Sequence, residues 1–203
     1  MDSADGGLTV LEGAILVVVA LLLATVAFHA ATGPATPPAG LICLALGETG
    51  DCLVLDGGVY GYVLANGSVG GADLWCDRPD RAKMGSVACS VRLFIGDMGS
   101  VDMSRTTVEV ATRGRVERPG MSVGAPVLPG NWTVVRKGHT VPFRQADDDL
   151  LLEPGERFEL LIYPSRPLEP GEPFRICITP PGSIQLAVER TVPPRIAPVM
   201  DLG

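Results

Sequence analysis

Little in this sequence can carry out catalysis. Its two histidines, His29 and His139, stand outside any nucleophile motif. There is no H-E-x-x-H and no phosphate-cradling G-x-x-x-x-G-K-[ST]. No cysteine pair has the C-x₂-C spacing of a zinc site, so no metal site is expected, and His29 reads as a polar residue at the end of an apolar run. No repeat recurs at a steady period. Positive charge is also scarce: 16 Lys and Arg stand against 23 Asp and Glu, a formal charge of −7. An acidic surface argues against nucleic acid as a partner. The first seven residues, MDSADGG, hold two aspartates and no Lys or Arg, whereas a secretory signal peptide expects a basic start. These absences point to a protein that is not an enzyme and that needs no cofactor.

What the sequence does have is one long apolar run. Leu8 to Phe28 is 21 residues, interrupted by a single charge at Glu12. As a helix it would reach about 31 Å, close to the roughly 30 Å core of a bilayer. Apolar residues lie all round such a helix, so it must be buried in lipid or among copies of itself. A carboxylate there is costly unless it finds a partner, and a free amino terminus on a neighbouring chain would be a good one. ATGPATPPAG, residues 31–40, follows. Its prolines end a helix and favour a stiff, extended connection, so we place a linker there.

From Leu41 onward the pattern changes. Gly and Pro, 25 and 18 in the whole chain, punctuate short β-prone segments there. Asn66-Gly67 is a hairpin signal between apolar stretches. DRPDRAKMGS, residues 77–86, reads as a polar loop. Val87 to Ile95 alternates with period 2, as a half-buried strand does. Thr106 to Val110 and Asn131 to Val135 read as strands within a Gly-, Pro- and Arg-rich middle. The last third is the most regular, with strands at Phe158–Tyr163, Phe174–Ile178 and Ile184–Arg190. Pro154-Gly155, Pro170-Gly171 and Pro180-Pro181-Gly182 punctuate them, which is the signature of an antiparallel sandwich. The expected class is therefore α+β: one long hydrophobic N-terminal helix followed by an Ig-like antiparallel β-sandwich.

Several residue groups carry alternatives. Five cysteines, at positions 43, 52, 76, 89 and 177, permit local disulfides such as Cys76–Cys89 or Cys43–Cys52. The odd count leaves one over. Cys89 and Cys177 alternate with apolar residues and read equally well as buried thiols. Asp147-Asp148-Asp149 offers oxygen ligands for a divalent cation, but lacks EF-hand spacing and reads better as a solvated turn. Asn66-Gly67-Ser68 and Asn131-Trp132-Thr133 are N-glycosylation acceptor patterns, at Asn66 and Asn131.

Gly7-Leu8-Thr9-Val10-Leu11-Glu12 resembles the processing site of class III signal peptides, found in type IV pilins and archaeal flagellins (archaellins). The tail, LEPGERFELLIYP and then PPGSIQLAVERTVPPRIAPVMDLG, resembles the archaellin C-terminus. LDGGVYGYV and CSVRLFIGDMGSVDMSRTTVEV resemble the middle of that family. The resemblance implies a leader, residues 1–7, cut between Gly7 and Leu8 by a class III (prepilin-type) peptidase. Residues 8–30 would then form a helix held in the membrane before assembly and in the filament core afterwards. Residues 41–203 would be the outer domain. Glu12 becomes the fifth mature residue and an assembly contact. The implied role is a structural subunit of the archaellum filament, a homopolymer or a heteropolymer with other archaellins, driven by basal motor proteins for swimming. Such subunits are commonly glycoproteins. Archaellins continue the N-terminal helix where this chain has ATGPATPPAG. That departure keeps open a membrane-anchored, stator-like archaellum protein or an adhesive type IV pilin-like subunit.

Overall fold

The computed structural model describes residues 52–94 and 99–203. Their strands are, in chain order, β1 (Leu53–Leu64), β2 (Gly67–Val69), β3 (Ala72–Leu74), β4 (Asp80–Leu93), β5 (Val101–Asp102), β6 (Thr107–Thr112) and β7 (Arg115–Glu117). Then come β8 (Gly120–Met121), β9 (Asn131–His139), β10 (Leu151–Leu152), β11 (Glu156–Tyr163), β12 (Pro173–Thr179), β13 (Leu186–Thr191) and β14 (Val199–Asp201). A 3₁₀ turn at Met103–Arg105 is the only helical element among the described residues. Among the described residues the α+β class is thus corrected to all-β. From Cys52 onward the chain holds period-2 runs broken by Gly and Pro, and no stretch long enough for a 3.6-residue period to assert itself. The N-terminal helix was assigned to residues outside those described. No helix among the described residues is long and apolar enough to cross a membrane.

Two sheets face each other. One has six strands in the order β14-β1-β4-β11-β9-β8, and the other four in the order β13-β12-β6-β7. All pairings in them are antiparallel except β8 with β9. Alternation along each strand sends one set of side chains into the shared core. Val87, Cys89 and Val91 of β4 and Phe158, Leu160 and Ile162 of β11 meet Val108, Val110, Phe174, Ile176, Ile178 and Val188 there. Full burial of each such side chain contributes about 1.5–3 kcal/mol. β5 and β10 pair with each other and bring Val101 and Leu152 to the same core.

The expected half-buried strand at Val87–Ile95 is longer and more deeply buried than its alternation implies. β4 begins at Asp80, inside the stretch expected to be a polar loop. From Met84 to Cys89 both faces of the strand are buried. The outward residues are covered because the β2–β3 hairpin folds over that side. Leu74, Cys76 and Val127 pack there against Leu64, Ala88, Leu161 and Tyr163. The hairpin turns at Gly70-Gly71, with φ of +60° and +93°, and not at Asn66-Gly67. Only glycine takes such a pair of angles readily.

The final third agrees with the alternation pattern. The two Glu-Pro-Gly-Glu turns have the same construction. In each, the second glutamate's backbone N–H donates to the first one's carbonyl at 3.0 Å. Its carboxylate then accepts from the first one's backbone N–H, at 3.1 Å for Glu153–Glu156 and 2.9 Å for Glu169–Glu172. The chain's end was not expected to form a strand. β14 pairs with the middle of β1 and buries Met200.

β1 and β4 lose register around Gly85. A Cβ on Gly85 would lie 2.8 Å from the Leu64 backbone. Gly85→Ala should therefore destabilise the domain by about 1–3 kcal/mol, the usual cost of overpacking. The urea midpoint should fall with an unchanged slope.

Candidate functional site

The proposed processing and assembly residues Gly7, Leu8 and Glu12, and also His29 and Cys43, lie outside the described residues. The two sequons differ in what their amides do. Asn66 is exposed between β1 and β2, at the base of the hairpin rather than its tip. Its Oδ1 accepts the Cys76 backbone N–H at 2.7 Å, which leaves Nδ2 directed elsewhere. Asn131 opens β9 and is half-buried, and its Nδ2 donates to the Leu128 carbonyl at 3.2 Å.

Cys76 and Cys89 are not joined. They sit on opposite faces of the six-stranded sheet, Cys89 in the core between the sheets and Cys76 under the hairpin. Cys89 and Cys177 are buried thiols, the second of the two readings. Burial pushes the Cys89 thiol up to about 12 from 9.0. Burial also raises Cys177, against a smaller lowering by Arg175.

The aspartate triplet forms the solvated turn. The Asp147 carboxylate accepts the Asp149 N–H at 3.1 Å, and the Asp149 carboxylate accepts the Leu151 N–H at 2.8 Å. Among the described residues no group of three or more His, Cys, Asp or Glu side chains could hold a metal ion. His139 is used locally, its Nδ1 accepting from the Val141 N–H at 2.9 Å.

Three hollows mark the domain. The first, about 250 Å³, lies on the outer face of the six-stranded sheet between Tyr60, Arg136, Arg157 and Glu159. Its arginines are matched by carboxylates, Arg136 with Glu159 at 3.5 Å and Arg157 with Asp56 at 3.7 Å. The second, about 440 Å³, lies outside the four-stranded sheet by Arg113, Arg175 and Arg190. There Arg175 pairs with Glu189 at 3.1 Å and Arg190 Nε donates to the Gly203 carbonyl at 2.7 Å.

The third is larger than either, about 720 Å³. It opens where β1 and β11 end and β4 begins. Leu64, Cys76 and Tyr163 line it, with Pro79, Pro129, Pro164 and Pro167 also on its walls. Tyr163 is only 2% exposed, and its hydroxyl has no well-formed hydrogen-bond partner among the described residues. Burial, and then the Cys76 thiol beside it, push the phenol well above its usual range. A buried hydroxyl left unpaired costs about 1–3 kcal/mol. Asp77, Arg78, Asp80 and Lys83 form the rim, two charges of each sign. Lys83 is held by Glu169 at 2.7 Å. Nothing in the linear sequence announced this cleft. Cys76, Pro129 and Tyr163 are far apart along the chain, and the one local signal is proline flanking strand ends.

No protein-family model matches this chain, and no curated protein does. Solved structures do. Archaeal flagellin FlaB1 from Methanocaldococcus jannaschii is similar over 75% of this chain and 97% of its own, at 12% identity and a TM-score of 0.53. The archaeal flagellum of Methanospirillum hungatei strain JF1 matches over 96% of this chain and 99% of its own, at 19% identity and a TM-score of 0.46. The archaellum periplasmic stator protein FlaG from Sulfolobus acidocaldarius matches over 68% and 98%, at 15% identity and a TM-score of 0.42. With the first of these, the chain shares a fold.

The raised acids set an alkaline limit. In the unfolded chain Cys89 ionises near its ordinary 9.0, while in the folded chain it holds its proton to about 12. Above pH 9 the unfolded state therefore binds fewer protons, and stability falls as pH rises toward about 12. Tyr163 and Cys177 shift in the same direction. Urea titrations between pH 8 and 11 should show a midpoint that declines with pH. Cys89→Ala should flatten part of that slope.

Proposed function

We propose that this chain is a structural component of the archaellum, an archaellin-type subunit that polymerises through its N-terminal apolar segment. The observation that carries the reading is the fold shared with archaeal flagellin FlaB1 over nearly that protein's whole length. The order of the motifs supports it independently: a Gly7/Glu12 start, an apolar run and the Pro-Gly-punctuated tail. In this reading the precursor is held in the membrane by residues 8–30. A class III signal peptidase cuts after Gly7. The apolar segments of many copies then exchange lipid for one another, and Glu12 meets the new amino terminus of a neighbour. At about 25 cal/mol per Å² removed from water, such segments hold an assembled polymer firmly. The β-domain faces outward, and basal motor proteins supply torque.

The Pro-rich stretch at residues 31–40 favours a second reading, a membrane-anchored archaellum component that keeps its N-terminus. Mass spectrometry of this chain from filaments sheared off the source cells separates the two. A chain beginning at Leu8 in the sheared fraction is expected. A chain beginning at Met1 and found only in membranes would overturn the filament role. Glu12→Ala should abolish or greatly reduce assembly without changing membrane content, and normal filaments from that variant would remove the role given to Glu12.

On an extracellular surface we place glycosylation at Asn66 ahead of Asn131, because the Asn131 amide nitrogen is already engaged. Asn66→Gln should lower the intact mass of the native chain by one glycan, while Asn131→Gln should not.

A further inference from the structure

We propose that Phe143 of one copy seats in the hollow beside Pro173 and Arg175 of the next, a head-to-tail contact between neighbouring domains. This rests on the reading of the chain as a self-assembling subunit and adds where one outer domain meets another.

Phe143 stands at the tip of a turn. The Arg144 backbone N–H donates to the Val141 carbonyl at 3.3 Å, which closes a turn with Pro142 and Phe143 in its middle. Proline holds its own φ near −65°, and Phe143 has a φ of +66°. That is the type II pattern, whose third position ordinarily goes to Gly or Asn. Phe143 is the one non-glycine residue at positive φ among the described residues. Its side chain is wholly in solvent, at 106% exposure, with the exposed Val141 nearby. A ring held there, where glycine would be at ease, stabilises nothing inside its own domain.

The hollow lies at the other end of the sandwich. The bridge between Cys52 and Ile184 sets the start of β1 beside the start of β13. Through β4 and β11 that end also takes His139, the close of β9, and with it the Phe143 turn. At the opposite end Pro173 pairs with Thr191, and Phe174 with Thr112. The hollow opens there, about 440 Å³, with Ala111 and Pro173 as its apolar part. Thr140 ties the turn to the Gly155 carbonyl, by its N–H at 2.7 Å and its hydroxyl at 2.9 Å. Three residues on, Phe143 stays within about 11 Å of that tie. Pro173 lies the length of β12 from that end, seven residues or about 23 Å at roughly 3.3 Å each, and on the other sheet.

Charge makes the two parts complementary. Residues 140–153 hold Asp147, Asp148, Asp149 and Glu153 against a single base, Arg144. Lys137, which donates to the Asp148 carbonyl, offsets one of these acids. The hollow is lined by Arg113, Arg175 and Arg190 against Glu189. An acidic turn bearing a ring thus meets a recess with a surplus of arginine, whose guanidinium groups favour an aromatic face. Two such turns would repel each other, and so would two such hollows. Unlike surfaces at opposite ends make a heterologous contact, the kind that repeats from copy to copy.

The test is ultraviolet crosslinking of the assembled full-length chain with benzoylphenylalanine in place of Phe143, which keeps an aromatic ring there. A product of twice the chain mass is expected, with residue 143 joined to 111–113, 173–175 or 189–191. Phe143→Gly should speed the release of subunits from sheared filaments about tenfold, the scale of removing an interface anchor. Thermal unfolding of that variant should be no lower than wild type, since glycine takes such a φ freely. Arg113→Glu should speed release several-fold. Assembled chains whose crosslinks stay within one chain, fall elsewhere on a second copy, or reach lipid or another protein would overturn the contact and leave the subunit reading standing. Release at the wild-type rate from Phe143→Gly would do the same. Chains that never associate would overturn both.

Discussion

The described domain depends on burying one sheet from both sides. β4 and β11 lie at the centre of the six-stranded sheet, and their inward side chains form the core shared with the second sheet. Their outward side chains at one end, Ala88, Leu161 and Tyr163, are covered by the β2–β3 hairpin and Val127. A sheet with one wet face can be read by alternation. A strand covered on both sides cannot, because burial no longer separates its two faces. Ser86 is buried in this way between Met84 and Ala88. Gly85 follows from the same constraint, since β4 must pass close to the backbone of Leu64.

That constraint explains what was legible in the sequence. The strands of the last third were, because each follows a Pro-Gly turn whose glycine sits at positive φ. The start of β4 was not. Asp80, Arg81 and Lys83 look like loop residues, yet they stand in a strand where it emerges from the core, and Lys83 there reaches Glu169. β14 was not legible either, because three residues carry no period and the strand exists only through its pairing with β1. The hairpin turn was misplaced for a related reason: Asn66-Gly67 looked like a turn, but the Asn66 side-chain Oδ1 is spent on holding the Cys76 N–H. The cysteines show a limit of another kind. Sequence spacing cannot tell which face of a sheet a residue occupies, and opposite faces part Cys76 from Cys89.

The surface is acidic in sum but balanced locally. Most exposed arginines in the hollows have a carboxylate or carbonyl within reach, including Arg136, Arg157, Arg175 and Arg190. Exposed pairs of this kind are worth little to folding. Their effect is to leave no concentrated positive field for a polyanion. The Tyr163 cleft differs in its make-up, with four prolines on its walls and Asp77, Arg78, Asp80 and Lys83 on its rim.

The borders of the sheets bear on how such domains behave when crowded. The six-stranded sheet ends in β14 and β8, only three and two residues long. The four-stranded sheet ends in the three-residue β7 and in β13, which carries the charged Glu189 and Arg190. Open borders of unpaired amides invite neighbouring molecules to zip together, and short or charged ones resist it. A surface crowded with copies of this domain would then stay in solution as separate beads along whatever holds them. Order between copies would come from specific contacts and not from sheets growing into one another.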